Sequence, residues 1–123
     1  MDVRLSEAEL AVMEALWAAT QPLSATDIAA AIPDDRSWSL ATVKSLLSRL
    51  LAKRAIEPAR DGRRFLYTSL IERDAYVGAE SKRFVSRLFG GRLSPLIAQL
   101  AEDEAIDRAE IPEIEALLRR LKS

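Results

Sequence analysis

Between Leu40 and Leu51 the apolar residues Leu40, Val43, Leu46, Leu47, Leu50 and Leu51 recur at steps of three and four, the period of a helix with one buried face. The opposite face is small, polar and basic. Ala41, Lys44 and Ser48 form one row on it and Thr42, Ser45 and Arg49 the next, with Lys53 and Arg54 in the last turn. Ile56-Glu57-Pro58-Ala59-Arg60 and Arg63-Arg64-Phe65-Leu66-Tyr67 then flank Asp61-Gly62, and Asp-Gly between short strand-like runs signals a hairpin. With Asp61-Gly62 as the loop, Arg60 faces Arg63, Pro58 faces Phe65 and Ile56 faces Tyr67. One side of the hairpin is then apolar and its tip carries clustered arginines.

Charge follows the same division. The net charge is only −1, yet residues 36–64 hold eight basic and two acidic residues while residues 1–35 hold one basic and seven acidic. A charge run is often no more than a solvated face. Here the excess coincides with the outer face of the helix and with the hairpin, where a phosphate-binding surface needs it. A basic helix followed by a basic hairpin is the winged helix-turn-helix arrangement, in which the helix reads the major groove and the wing touches the backbone.

The segments upstream complete that motif. Ser6-Glu7-Ala8-Glu9 is a capping box that opens a first helix, along which Leu10, Met13, Leu16 and Trp17 form an inward stripe. Ser24-Ala25-Thr26-Asp27 is a second helix start, with Ile28, Ala31 and Ile32 facing inward. Pro33-Asp34-Asp35-Arg36 is a polar turn and Ser39 caps the central helix. Trp17 reads as a core anchor. Trp38 either packs beneath the central helix, the preferred reading, or stacks near nucleic acid.

Several function classes are excluded by composition. The chain has no cysteine and no histidine, so disulfides, thiolate metal sites and Ser-His or Cys-His nucleophilic pairs are impossible, and no metal ligation, cofactor or catalytic residue is expected. No apolar run has the length of a membrane span and the N-terminus lacks a signal-peptide pattern, so a cytoplasmic protein without membrane insertion is expected.

Beyond the hairpin, Tyr76, Ala79, Val85, Leu88 and Phe89 recur along a helix from Glu72 that Gly90-Gly91 stops. Leu93, Leu96, Ile97 and Leu100 mark a second helix, and Ile111, Ile114, Leu117, Leu118 and Leu121 a third. Three amphipathic helices after a complete winged helix offer more apolar face than so short a segment buries alone. A second copy of the chain would cover it, with Val85, Leu88, Phe89, Leu93, Leu96, Ile97, Leu100, Ile114, Leu117, Leu118 and Leu121 as the expected interface. The alternative is that these helices fold back on their own winged helix. The expected fold is therefore mainly α with a small β-hairpin: a winged-helix DNA-binding domain over residues 1–71 and a helical dimerisation domain over 72–123.

LSEAELAVMEALW, PLSATDIAAAI, WSLATVKSLLSRLLAKRAIE, RDGRRFLYTSL and FGGRLSPLIAQLAED together resemble the penicillinase-repressor family of bacterial transcription repressors over nearly the whole chain. The resemblance implies a homodimeric, sequence-specific repressor on a near-palindromic operator, controlling a beta-lactam-resistance-like or related stress operon. The family's groove-facing positions fall at Thr42, Lys44 and Ser45, the residues that the helical period already places outside. Lys44 can donate to guanine, and Thr42 and Ser45 can bond or touch a base edge. Lys44 stands where the family often has Arg, which weakens the case for a bidentate guanine contact. Ser48, Arg49, Lys53, Arg60, Arg63 and Arg64 read as contacts to the DNA backbone. Arg49 has a second reading, pairing with a carboxylate of the first or second helix. In relatives a membrane receptor-protease cuts an Asn-Phe bond that corresponds to Gln99-Leu100, so the bond is altered here, and the cysteine-rich metal motif of copper-responsive relatives is missing. A winged helix that docks an acidic protein instead of DNA is the alternative function.

Overall fold

The computed structural model describes residues 3–33 and 37–123; Asp34, Asp35 and Arg36 of the expected polar turn lie outside the described residues. In chain order the elements are α1 (Glu7–Ala18), α2 (Ala25–Ala31), α3 (Leu40–Ala52), strands β1 (Ile56–Asp61) and β2 (Arg64–Ser69), α4 (Arg73–Phe89), α5 (Leu93–Glu102), a short 3₁₀ turn (Arg108–Glu110) and α6 (Ile111–Lys122). The chain separates into two compact units, residues 1–77 and 78–123.

Each of the first two helices begins where its capping box predicts. Ser6 and Glu9 exchange bonds of 2.7 and 3.1 Å, and Ser24 and Asp27 bonds of 3.0 and 3.1 Å. The Ser39 hydroxyl caps α3 by accepting from the Thr42 amide at 3.1 Å. Val43, Leu46, Leu47 and Leu50 of α3 are buried in one cluster with Val12, Met13 and Leu16 of α1 and with Ile28 and Ile32. Burying those four side chains of α3 is worth on the order of 6–12 kcal/mol, far more than any surface ion pair, so this contact sets where α3 lies. Leu40 and Leu51, at the ends of the predicted stripe, are only partly covered.

The inward stripe of α1 is rotated from expectation. Glu9, Val12, Met13 and Leu16 are buried, whereas Leu10 is half-buried. Glu9 takes an inner position because Lys53, the C-cap of α3, meets it there. Ala31, expected inside, is exposed, because α2 ends at that residue and the extended backbone of Ile32 turns the next side chain in. Trp17 anchors as expected: its indole N–H donates to the Ile71 carbonyl at 2.8 Å and to Ser69 Oγ at 3.1 Å, and its ring lies 6.0 Å from that of Tyr76. Trp38 packs against the same core.

The hairpin register differs from the sequence expectation. Asp61 pairs with Arg64, Arg60 with Phe65, Pro58 with Tyr67 and Ile56 with Ser69, so the loop is Gly62-Arg63. Gly62 has φ of 65° and Arg63 does not have positive φ, which puts the glycine at the first central position, as in a type II′ turn. That choice spares Asp61 the left-handed backbone that the expected loop demands. Each β1 residue thus meets a partner two places further along β2. A shift of two keeps every side chain on its original face while changing every cross-strand partner and the residues of the loop. Leu23 adds a single rung outside β2, exchanging bonds of 3.1 and 2.7 Å with Tyr67.

Of the two residues expected in the last turn of α3, Lys53 is its C-cap and Arg54 lies beyond it. The amides of Arg54 and Ala55 donate to the carbonyls of Leu51 and Leu50, both at 3.0 Å, which are the paired bonds of a Schellman stop, and Arg54 takes the left-handed position with φ of 60°. The sharp turn drops Ala55 and Ile56 into the core and aims β1. A left-handed non-glycine residue costs about 1–2 kcal/mol. Arg54→Gly is therefore expected to stabilise the chain by about 0.5–1 kcal/mol and Arg54→Val to destabilise it by at least about 1 kcal/mol, read from urea midpoints at constant slope.

In the second unit no residue is buried. α4 ends at Gly90 and Gly91, both with positive φ, as the sequence predicts. α5, Ile106 and α6 border an open apolar groove of about 640 Å³, lined by Leu93, Ile97, Ala101, Ile111, Ile114 and Leu118.

Candidate nucleic-acid interface

Thr42, Lys44, Ser45, Ser48 and Arg49 all lie on the exposed side of α3, opposite its buried leucines. This follows from the period alone. At about 1.5 Å per residue the helix is roughly 20 Å long, enough to lie along a major groove about 12 Å wide. The Thr42 hydroxyl stands 3.1 Å from Ser39 Oγ, so it is held at the mouth of the helix. Among the described residues no carboxylate pairs with Arg49; at the C-terminal end of α3 it is Lys53 that meets a carboxylate of α1, Glu9.

A groove of about 630 Å³ runs between α3, the N-terminal turn of α2 and the wing formed by β1 and β2. Lys44 and Ser48 line it from α3, Arg63, Arg64 and Phe65 from the wing, and Thr26 and Asp27 from α2. The α2 residues were not foreseen in the sequence. Their signal, a cap motif two residues after a proline, identifies a helix start but not what faces it.

The wing arginines divide by what they touch. The Arg64 guanidinium meets the Asp61 carboxylate at 3.3 Å, and it lies near enough to Asp27 to help hold that carboxyl below its ordinary range. The larger causes of the Asp27 shift are the Ser24 amide and hydroxyl. Arg60 sits over the Phe65 ring at 5.3 Å, a cation–π contact created by their cross-strand pairing. Arg63 is at the loop apex and exposed. The three cations expected at the tip are therefore spread along the wing, with Arg63 foremost.

Lys53 is engaged elsewhere. Its ammonium donates to Glu9 Oε1 at 2.5 Å and to the Arg4 carbonyl at 2.7 Å. Burial raises the Glu9 pKa, but the Lys53 bond and charge and the Ser6 donors outweigh it, and the net value is below the ordinary 4.5. Among the described residues no group of three or more acidic side chains could hold a metal ion, and no helix is long and apolar enough to cross a membrane.

The residues expected at a dimer interface are largely uncovered. Leu88, Leu93, Ile97, Leu117, Leu118 and Leu121 are exposed, the last by 83 %, and Val85, Phe89, Leu96, Leu100 and Ile114 are half-buried. Val77 and Phe84 are exposed on α4 as well, and Phe84 lies 6.1 Å from Phe89; the sequence stripe missed both. Ala79 is exposed, and Tyr76 packs on Trp17 within the first unit. Gln99 and Leu100 lie inside α5, where the Gln99 amide donates to Asp103 Oδ2 at 3.0 Å.

A three-helix core, an outward basic helix and a hairpin wing define a winged helix-turn-helix protein of the DNA-binding class. The penicillinase repressor family model matches residues 5–120, and the chain belongs to that family. It is 31% identical over 116 residues to the methicillin resistance regulatory protein MecI of Mammaliicoccus sciuri, covering 94% of each chain. It is 28% identical over 120 residues to the penicillinase repressor of Bacillus licheniformis, covering 98% of this chain and 93% of the relative. Among solved structures it is similar to the Bacillus licheniformis BlaI monomer in complex with the blaP half-operator, with a TM-score of 0.52 and 29% identity over 62% of this chain and 92% of the other.

Because the folded Glu9 pKa is depressed, its stabilising contribution is complete above about pH 4.5 and is lost as pH falls through the lower folded value. Glu9→Gln is expected to lower stability at neutral pH and to flatten the acid limb of the stability curve, measured as urea midpoints between neutral and acid pH. An acid limb as steep as in the parent would mean that the titration lies in other carboxylates.

Proposed function

We propose that the chain is a sequence-specific, DNA-binding transcriptional repressor that acts in the cytoplasm as a homodimer on a near-palindromic operator, controlling a beta-lactam-resistance-like or related stress operon. One observation carries the reading: Lys44 and Ser48 of α3 and Arg63 of the wing line a single groove, while Thr42 and Ser45 stand beside them on the helix. Helix and wing thus offer base-reading and backbone-binding groups together. The half-operator bound by the related BlaI monomer supports the same use of the fold. Catalysis and a cofactor have no part in it, and no observation favours docking of an acidic protein on this face.

Base-edge contacts fall to Thr42, Lys44 and Ser45, and backbone contacts to Ser48, Arg49, Arg60, Arg63 and Arg64. Lys44→Ala or Thr42→Ala is expected to cost about 1–3 kcal/mol on the operator and to relax sequence preference, with little change on scrambled DNA. Arg63→Ala is expected to weaken both duplexes alike and to reduce the slope of log affinity against log salt by about 0.9 per contact. Fluorescence anisotropy over a salt series separates the two patterns. An unchanged base preference for Lys44→Ala would refute the assigned helix face.

The uncovered apolar surface of α4, α5 and α6 supports association with a second copy through these helices. A twofold dimer presents two copies of α3 to a dyad-symmetric site, and each half alone binds weakly. Cleavage at Gln99-Leu100 by a membrane receptor-protease or another protease would release repression by the same logic, after local unwinding of α5. Leu118→Glu is expected to convert dimer to monomer and to weaken operator binding at least tenfold at low protein concentration, on the scale of a single lost anchor. Sedimentation equilibrium showing an intact dimer would place the interface elsewhere.

A further inference from the structure

We propose that Glu9 and Lys53 are positioning residues for DNA recognition, an anchor that holds the angle of α3 against α1, and that Lys53 makes no phosphate contact. This rests on the DNA-binding reading above and deepens it.

Lys53 caps the C-terminal end of α3, its amide donating to the Arg49 carbonyl at 3.0 Å. Its ammonium spans to the start of α1, where Glu9 Oε1 accepts from it at 2.5 Å and from the Ser6 amide at 2.7 Å, and the Arg4 carbonyl accepts at 2.7 Å. One carboxylate oxygen thus joins the N-cap of α1 to the C-cap of α3. The Glu9 side chain is only 2% exposed. Moving the ammonium to a phosphate would leave that buried carboxylate without a counter-charge, with only the Ser6 amide bonded to it, which is costly.

The anchor supplies what the core cannot. Apolar burial is non-directional, so the leucines under α3 hold it down but tolerate small rocking. The ammonium holds two acceptors at once, the Glu9 carboxylate and the Arg4 carbonyl, so swinging the end of α3 away from α1 separates it from a buried charge, a cost that apolar contacts do not impose. Lys44 lies about 13 Å along the helix from Lys53, so a tilt of about 5° at the anchored end moves it by about 1 Å. A displacement of that size breaks a base-edge hydrogen bond but leaves a backbone ion pair largely intact.

The two roles for Lys53 predict opposite behaviour for Glu9→Gln. If Lys53 reached a phosphate, loss of the competing carboxylate would tighten binding to any duplex. As an anchor, its loss weakens the operator alone. The test measures anisotropy of the full chain on an operator selected from random DNA by the wild type, and on a scrambled duplex, over a salt series. The variants are Glu9→Gln, Lys53→Met, their double, and Arg63→Ala as the backbone-contact reference, all held well below their melting temperatures. Glu9→Gln keeps a capping-box side chain and so guards against a folding defect in Lys53→Met.

The expected result is about tenfold weaker operator binding for each single variant, unchanged scrambled binding, an unchanged salt slope for Lys53→Met, and a double no worse than the weaker single. Tighter or equal operator binding by Glu9→Gln, or a slope for Lys53→Met reduced as in Arg63→Ala, overturns the anchor and leaves the repressor reading standing. A wild type that selects no sequence overturns both.

Discussion

The inner face of α3 is the contact on which the rest of the molecule depends. Val43, Leu46, Leu47 and Leu50 are covered by α1 and α2, and that burial orients the opposite face of the same helix toward solvent. Thr42, Lys44 and Ser45 are exposed because a period of 3.6 leaves them nowhere else to point once the leucines are inside. The wing follows from the same helix. Its left-handed exit at Arg54 sends Ala55 and Ile56 into the core, and Trp17, through Ser69, and Leu23, through Tyr67, hold the returning strand.

Positive charge on such a surface differs in availability from one cation to the next. Lys53 and Arg64 carry the same charge as Lys44 and Arg63, but each already has a carboxylate within hydrogen-bonding distance. The Arg64 pair is exposed, so solvent and salt screen it and a phosphate can compete for the guanidinium. The Lys53 pair has a buried partner, which makes exchange far more costly. A count of basic residues over the segment therefore overstates the charge offered to a ligand.

The second unit obeys the opposite rule from the first. Residues 78–123 form amphipathic helices whose apolar sides remain largely uncovered, whereas the first unit closes a complete core. A surface of this kind is stable in water only at the expense of exposed hydrocarbon, and a second copy of the same helices would bury it. Under the proposed function the association also supplies affinity, since two weak half-site contacts become one strong interaction.

Much of this was determined by the sequence alone. Local rules suffice for capping boxes, for the period of α3, for the glycine stop of α4 and for the existence of a hairpin, because each depends on residues within a turn or two of one another. The composition likewise excluded histidine and cysteine chemistry without any structure. The tertiary fold decided what depends on distant partners. Glu9 is buried because Lys53, far along the chain, meets it, and no local pattern marks a carboxylate as inward. The turn took Gly62-Arg63 instead of Asp61-Gly62 because only the glycine had to adopt positive φ, and that choice paired Arg60 with Phe65. Arg54 accepted the left-handed position without being glycine because core burial of Ala55 and Ile56 outweighs its strain. Periodicity reports which face a residue occupies, but which cation finds a carboxylate is settled only when the helices pack.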